Sequence, residues 1–228
     1  MAISSARDRL TPVSRPDART QLLLAGERLI AESGPEVSLR DVAVAAGQRN
    51  NSAVHYHFGS RDGLIKAIIG HRQAPLEQAR LALLAEHESA AKPDDSITAL
   101  VTILVEPLFD TPYSDGSSHY ARFLERVRNH AVMAELTLTA EQWPATRILT
   151  TRLLRALDHL PEALRRQRMT AMASVMYTLL ADHERHVDEH RDAVRGALSE
   201  AEARDNIVAM VVGLLTAPIP ALLEHQTR

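Results

Sequence analysis

Apolar residues recur at helical spacing along most of the chain. Between residues 17 and 33 they fall at i, i+4, i+7 and i+11, on one face of a helix, at Ala18, Leu22, Ala25 and Leu29. Gly34 ends this first run, and Ser38 has the character of an N-cap for a second helix, which Gly47 ends two turns later. The pattern therefore predicts two helices separated by a short loop.

A third, short helix is predicted next, where the chain reads QRNNSAVHYHF. Val54 and Phe58 lie four residues apart and can both face inward, so the polar residues around them must occupy the open face and its ends. Asn50, Asn51 or Ser52 can serve as the N-cap. Two short helices joined by a glycine turn, the second with a polar outer face, form a helix-turn-helix, and such a second helix fits the major groove of DNA.

The rest of the chain also reads as helix, so the sequence predicts an all-α fold with a three-helix head and a larger helical body. Beyond residue 60 the apolar spacing continues to about residue 71, and further helices are expected at about 75–91, 95–108, 118–136, 140–159, 161–186 and 202–224. The uncharged run from 207 to 223 is shorter than the roughly 20 residues that a membrane-spanning helix needs. Pro218 and Pro220 also interrupt it. We therefore expect a buried helix here and no membrane partner.

Composition and charge narrow the class of protein. The chain has 228 residues, of which 45% are hydrophobic and 24% charged, as in an ordinary globular protein. The absence of cysteine excludes thiolate metal sites and fits a reducing compartment such as the cytoplasm. The first residues lack the apolar core of a secretory signal and suggest a flexible, mildly basic arm over residues 1–14. Residues 1–72 hold ten Lys/Arg and seven Asp/Glu, a net charge of +3, whereas the remainder carries −6. This separation of charge is expected when one end of a protein meets a polyanion.

Residues 17–70 resemble the DNA-binding domain of the TetR family of bacterial transcriptional regulators. The residues that carry the resemblance are Ser38, Ala43, Ala46, Gly47, His57, Phe58, Arg61, Asp62 and Leu64. The chain departs from the family's pattern at two points. The turn before the third helix is one residue longer, and His55 stands where the family has tyrosine, with Tyr56 one place later. The resemblance implies a helix-turn-helix DNA-binding domain at 15–60 and a helical effector-binding and dimerisation domain at 61–228.

On this resemblance, the open face of the third helix contacts DNA. Arg49, Asn50 and Asn51, at the turn and helix start, are candidate base readers, since Arg pairs bidentately with guanine and Asn with adenine. The other candidates are phosphate contacts or their neighbours on the same face, namely Ser38, Ser52, Ala53, His55, Tyr56, His57 and Arg61. The expected partner is double-stranded DNA with an inverted-repeat operator, which two copies of the chain read about a two-fold axis.

The resemblance also implies an effector pocket and a four-helix dimer interface in the body. The candidate contacts of the unknown small-molecule effector are Leu100, Leu104, Phe109, His119, Arg122, Phe123, Met133, Trp143, Arg147 and Leu149. The candidate interface residues, for which intramolecular core is the alternative, are Met172, Met176, Leu179, Leu180, Val208, Val211, Val212 and Leu215. The expected function is a ligand-responsive repressor that acts as a homodimer. The alternative is a helical small-molecule-binding dimer with a vestigial DNA head.

One enzyme motif occurs in the sequence. The stretch HVDEH at 186–190 matches H-x-x-E-H, with His186 and His190 as zinc ligands and Glu189 as the base. Zinc also needs a third protein ligand, which the sequence does not identify, and the charge density of the stretch is typical of a solvated helix end. We therefore expect no metal, no cofactor and no enzymatic activity.

Overall fold

The regular structure of the described residues is helical, as the sequence predicts. The structure is a computed structural model, and it describes residues 17–50, 52–90, 95–109, 118–138, 142–189 and 198–219. The head contains α1 (Ala18–Ser33), α2 (Leu39–Ala45) and α3 (Ala53–Phe58). The body follows with α4 (Arg61–Ser89), α5 (Ile97–Val105) with a 3-10 turn (Glu106–Leu108), α6 (Tyr120–Val127), α7 (Ala131–Leu138), α8 (Pro144–Ala156), α9 (Glu162–Glu189) and α10 (Glu200–Thr216).

Side-chain caps set the starts of the head helices and of α4. The Asp17 carboxylate accepts a hydrogen bond from a backbone N–H in the first turn of α1. Oγ of Ser38 accepts from the backbone N–H of Arg40 at 3.2 Å, which confirms Ser38 as the N-cap of α2. Ser60 caps α4 in the same way. These polar residues satisfy backbone donors that have no partner within the helix, and they fix where each helix begins.

Helix α4 differs most from the sequence prediction, because one helix of 29 residues stands where two were expected. Pro75 lies inside α4, where a proline removes a backbone hydrogen bond and costs about 3 kcal/mol. Ile68 and Ile69 are buried before the proline, and Leu76 and Leu84 are buried after it. The predicted break is wrong because packing on both sides of Pro75 holds the helix together.

Two other expected helices also change their bounds. The helix expected at 118–136 divides into α6 and α7, with a turn in which the N–H of His130 donates to the carbonyl of Val127 at 2.8 Å. The helix expected at 202–224 ends at Thr216, two residues before Pro218, which disfavours helical backbone in the residue that precedes it. None of the described helices combines the length and the hydropathy needed to cross a membrane.

The buried side chains form two clusters that meet along α4. The head cluster joins the apolar faces of α1, α2 and α3 to the first half of α4 and to Tyr120, Phe123 and Leu124 of α6. The body cluster joins the second half of α4 to α5, α8, α9 and α10. Tyr177 of α9 contacts both clusters. Because α6 packs directly on α1, the head is attached to the body through a shared core.

Most of the candidate dimer residues lie inside the core of a single chain. Six of them belong to the body cluster and expose at most 6% of their surface, namely Met172, Met176, Leu180, Val208, Val211 and Leu215. Their burial within one chain favours the alternative of intramolecular core, and their assignment to the interface stays a prediction. Leu179 of α9 and Val212 of α10 are only half-buried, and Met210 of α10 exposes 41% of its surface. In a helix that is apolar on all sides, every position looks like a core position. The sequence spacing alone therefore does not tell which side chains face the core and which face outward.

Candidate DNA-binding surface and effector cavity

Helix α3 turns one side to the core and the other to solvent. Val54 is fully buried and Phe58 packs against the head cluster, as the sequence predicts. On the opposite side His55 is exposed, and Tyr56 leaves 85% of its surface accessible. The Tyr56 hydroxyl, which can donate or accept a hydrogen bond, is therefore open to a partner.

The turn before α3 is built by Asn50. Its Oδ1 accepts hydrogen bonds from the backbone N–H of Ser52 at 3.0 Å and from the Ser52 hydroxyl at 2.7 Å. A bidentate pair with adenine needs both the carbonyl and the amide of an asparagine, so the Asn50 carbonyl would have to leave this turn to read a base. Arg49 is exposed and forms no ion pair with the described residues, whereas Asn51 lies outside them.

The aromatic residues of α3 hold one another in place. His55 Nδ1 lies 2.9 Å from the carbonyl oxygen of Gly59 at the end of the helix. When Nδ1 donates this bond, Nε2 of the neutral ring is an acceptor, so only the protonated ring can donate to a phosphate. The ring of His57 meets the Tyr56 ring edge-on at 5.0 Å and is half-buried. Ala53 is also half-buried against the head cluster, which leaves His55 and Tyr56 as the outward residues of α3.

Arg61 is engaged within the protein. Its Nη1 donates to Oε2 of Glu36 at 2.6 Å, and its Nη2 reaches the carbonyl oxygens of Glu36 and Val37 at 3.4 Å. These bonds tie the start of α4 to the loop between α1 and α2. A phosphate contact by Arg61 would therefore have to compete with a carboxylate that is 80% exposed.

Arg40 is a surface cation that the sequence reasoning missed. It lies in the first turn of α2, two residues after the cap Ser38, and is exposed. The described residues offer its guanidinium no ion pair. The sequence signal for a phosphate contact was its position in the first turn after an N-cap, because helix N-termini and arginine side chains both favour phosphate.

A buried ion pair connects the head to the body. The guanidinium of Arg72 on α4 donates to both carboxylate oxygens of Glu27 on α1, from Nε at 2.7 Å and from Nη2 at 2.9 Å. Both residues are buried, and the guanidinium lies 5.9 Å from the centre of the Tyr120 ring. Burial raises the pKa of Tyr120, so this phenol stays neutral beside the pair. The sequence analysis counted both charges in the balance of residues 1–72 without pairing them, since nothing local marks a partner 45 positions away.

A second buried network lies deeper in the body. Glu77 accepts from the backbone N–H groups of Ala145 at 2.8 Å and Thr146 at 3.3 Å, so a side chain of α4 caps α8. Arg80 donates twice to the carbonyl of Leu104, at 3.0 and 3.1 Å, and also bonds Glu77. Desolvation lowers the pKa of Arg80, but its ordinary value is high enough for the guanidinium to remain charged. The network fixes α5, α4 and α8 relative to one another.

An open cavity of about 210 Å³ lies between the end of the 3-10 turn, α6, α9 and the start of α10. Among the candidate effector residues, Phe109 lines it. Arg122 stands behind it, where its Nη2 bonds Asp188 at 2.5 Å and lies 2.6 Å from Nδ1 of His119. Burial and the neighbouring Arg122 charge lower the pKa of His119, which keeps that ring neutral.

The remaining candidate effector residues are not among the described lining residues of this cavity, and their assignment stays a prediction. Four are packed in the two clusters with at most 4% of their surface exposed, namely Leu100, Leu104, Phe123 and Leu149. Met133 and Trp143 pack against the head cluster, and Arg147 is exposed. Bulky residues in the middle helices mostly serve packing, and sequence spacing does not show where packing leaves a gap.

The structure describes only part of the H-x-x-E-H motif at 186–190. His186 and Glu189 are exposed near the end of α9, and His190 lies outside the described residues. Within the described part of the chain, no group of three or more His, Asp or Glu side chains is placed to hold a metal ion.

A three-helix head with an outward-facing second helix of a helix-turn-helix defines a DNA-binding protein. Two family models match the chain: bacterial regulatory proteins of the tetR family over residues 22–68, and the tetracyclin repressor-like C-terminal domain over residues 102–213. The chain therefore belongs to the TetR family of transcriptional regulators. Because these proteins are transcription factors, the expectation that the chain is not an enzyme is confirmed.

Individual relatives share less of the chain. The HTH-type transcriptional repressor Rv3405c of Mycobacterium tuberculosis is 38% identical over 64 residues, which span 28% of this chain and 34% of the relative. Thus the match covers about a third of that protein's length. A crystal structure assigned to the TetR-family regulators of Rhodococcus sp. shares 17% identity, with a TM-score of 0.44 over 87% of this chain and 98% of that one. The regulator SCO7518 of Streptomyces coelicolor shares 25% identity, with a TM-score of 0.34 over 89% and 100%.

Proposed function

We propose that this chain is a repressor that binds an inverted-repeat operator as a homodimer and releases it when a small molecule occupies the body. The observation that carries the proposal is the open face of α3, where Tyr56 and His55 point outward directly after a turn that presents Arg49. These residues lie in the part of the chain that the DNA-binding family model matches.

The proposed DNA contacts of the head are of two kinds: contacts that read bases, and phosphate contacts that position the protein on the duplex. Arg49 is the base reader best supported by the structure, because its guanidinium is exposed and suits the bidentate guanine contact. Asn51 remains a candidate base reader on the strength of the sequence. Tyr56, Ser38 and Arg40 are the positioning contacts, because a hydroxyl or a guanidinium can donate to phosphate oxygens without reading sequence.

The dimer is proposed to form through the outward faces of α9 and α10. Met210 supplies exposed apolar surface on α10, and Gly213, three residues further along the same face, keeps part of that face flat. Leu179 and Val212 are only half-buried and lie at the edge of the body cluster. Two heads related by a two-fold axis would meet half-sites about one DNA turn apart, which explains the expected inverted repeat.

Repression and ligand response rest on different support. The relative from Mycobacterium tuberculosis is named a repressor, and its matched region is the size of the DNA-binding head. The cavity beside α6 gives a small molecule access to the helix that packs on α1. A ligand that prefers one position of α6 would shift the head, whereas equal affinity for both positions would change nothing. A cytoplasmic location is part of the proposal, since the proposed partner is DNA.

An unbiased DNA selection with the purified protein at near-physiological salt tests the proposal. Enrichment of one inverted-repeat sequence, bound with a stoichiometry of two chains per site, is the expected result. Enrichment of single half-sites would contradict the dimer, and no enrichment above background would contradict operator binding. The enriched duplex then serves to score small molecules for release.

A further inference from the structure

The cavity beside α6 has the size of a single aromatic ring with a short substituent. Its volume is about 210 Å³, and a protein cavity of roughly 150 Å³ accommodates benzene. Leu108, Ala121 and Leu180 form an apolar part of its wall. The Phe109 and His183 rings, with centroids 5.2 Å apart and planes at 53°, form an aromatic part.

The polar lining of the cavity is acidic. Among its described lining residues are three carboxylates, Glu184, Asp188 and Glu200, and neither lysine nor arginine. Burial lowers the pKa of His183, so the histidine of the lining adds no compensating charge near neutral pH.

Two guanidiniums behind the lining only partly balance these carboxylates. Arg122 pairs with Glu184 and Asp188, and Arg204 pairs with Glu200 at 3.3 Å. Arg204 also pairs with Glu106 at 3.4 Å, so one guanidinium is shared between Glu200 and a second carboxylate.

The three carboxylates differ in their remaining capacity to accept hydrogen bonds from a ligand. Both oxygens of Glu184 are used to hold the start of α6, accepting from the Ser118 hydroxyl at 2.6 Å and from the backbone N–H groups of Ala121 and Arg122 at 3.0 Å. Glu200 is 59% exposed and forms its ion pair through Oε1. A carboxylate accepts several hydrogen bonds, so Glu200 and Asp188 can take an ammonium in addition to their guanidiniums.

From this arrangement we infer that the cavity binds a small, single-ring aromatic ammonium compound, with its ring against Phe109 and His183 and its ammonium group toward Glu200 and Asp188. The inference rests on the proposed function, since it names the chemical class of the effector. The Arg204 guanidinium carbon lies 5.4 Å from the centre of the Phe109 ring and the same guanidinium pairs with Glu200, so the aromatic wall and the Glu200 carboxylate lie close together. An anionic ligand would face three carboxylates, which disfavour its binding relative to a cation of the same shape.

Calorimetric titration of the full chain with three probes of one shape tests the inference. Benzylammonium, benzyl alcohol and benzoate share the ring and differ in charge. We expect benzylammonium to bind about tenfold more tightly than benzyl alcohol, since a charge-assisted hydrogen bond replaces a neutral one, and benzoate to bind more weakly still. Equal binding of all three, tighter binding of benzoate, or no binding of benzylammonium up to millimolar concentration would each overturn the inference.

The variant Glu200→Gln tests whether the Glu200 carboxylate is the charge that selects an ammonium ligand. The variant should lose about tenfold in affinity for benzylammonium and keep its affinity for benzyl alcohol. The matched control is Asp205→Asn, an exposed carboxylate on the same helix that does not line the cavity, and it should change neither affinity. An equal loss for both probes in Glu200→Gln would show a structural effect and overturn the assigned role. Operator binding is measured separately with the same proteins, so a chain that binds its operator but none of the probes refutes the ligand class alone.

Discussion

At the scale of single residues, the described head separates side chains that shape the turn from side chains that are free to contact DNA. Asn50 and Arg61 have the chemistry of DNA contacts, but their polar atoms already hold Ser52 and the α1–α2 loop. Arg49 and Arg40 are exposed without a described ion pair. Residue type therefore identifies the candidates, and the partner of each polar atom decides between positioning the backbone and contacting a ligand.

Arg49→Ala tests base reading. If Arg49 pairs with guanine, the variant should lose about 1–3 kcal/mol of discrimination between the selected operator and a duplex altered at one base pair. Competition binding with the two duplexes measures this difference. Arg155→Ala, which removes an exposed charge from α8 of the body, should leave discrimination unchanged. A uniform loss on every duplex, with a shallower salt dependence, would instead assign Arg49 to a phosphate.

The buried pair gives a second prediction at this scale. Glu27→Gln leaves the Arg72 guanidinium buried without its counter-charge, and breaking such a pair costs about 3–5 kcal/mol. Urea denaturation should show this loss in the free energy of unfolding. Glu32→Gln, an exposed change on the same helix, should stay within about 0.5 kcal/mol of the parent. A loss below about 1 kcal/mol in Glu27→Gln would mean that Arg72 is not desolvated in solution.

At the scale of helices, the sequence was sufficient where a single side chain determines where a helix begins or which side faces the core. Ser38 caps α2 and Val54 faces the core, because capping and helical period involve residues a few positions apart. The continuous α4 could not be predicted from the sequence, since Pro75 is a local stop signal and the packing that overrides it comes from distant segments. The pairing of Glu27 with Arg72 has the same origin.

Two glycines test how backbone conformation defines α3 and α4. Gly59 ends α3 with φ of +73°, and a Cβ there meets nothing within 4 Å, so Gly59→Ala should cost about 1–2 kcal/mol through backbone strain alone. Gly70 lies inside α4 with equally open space, so Gly70→Ala should stabilise the chain by about 0.5–1 kcal/mol. Thermal or urea unfolding of both variants measures the contrast. Shifts of the same sign would contradict this account of the turn between the two helices.

At the scale of the whole molecule, helix α6 is one of the connections between the head and the body, together with α4. Helix α6 packs on α1, carries Tyr120 beside the Glu27–Arg72 pair, and has its first turn held by Glu184 from the cavity lining. The described contacts thus form a continuous path from the cavity to the first helix of the head. A path of contacts permits coupling and does not establish it, so the decisive measurement is whether a cavity ligand changes operator affinity.

Oligomeric state is the last property that the architecture makes testable. Met210→Arg introduces a charge on the α10 face that we propose as the dimer interface, where Met210 exposes 41% of its surface in one chain. Burying an unpaired charge in an apolar interface opposes association, so light scattering should show a shift from dimer to a 25.2 kDa monomer. Leu154→Arg is the matched control, since Leu154 is 37% exposed on α8, away from that face. A dimer that survives Met210→Arg and dissociates in Leu154→Arg would move the interface to α8. Met210→Arg should also weaken operator binding far more than it weakens binding to a single half-site, because only the dimer places two heads on one duplex.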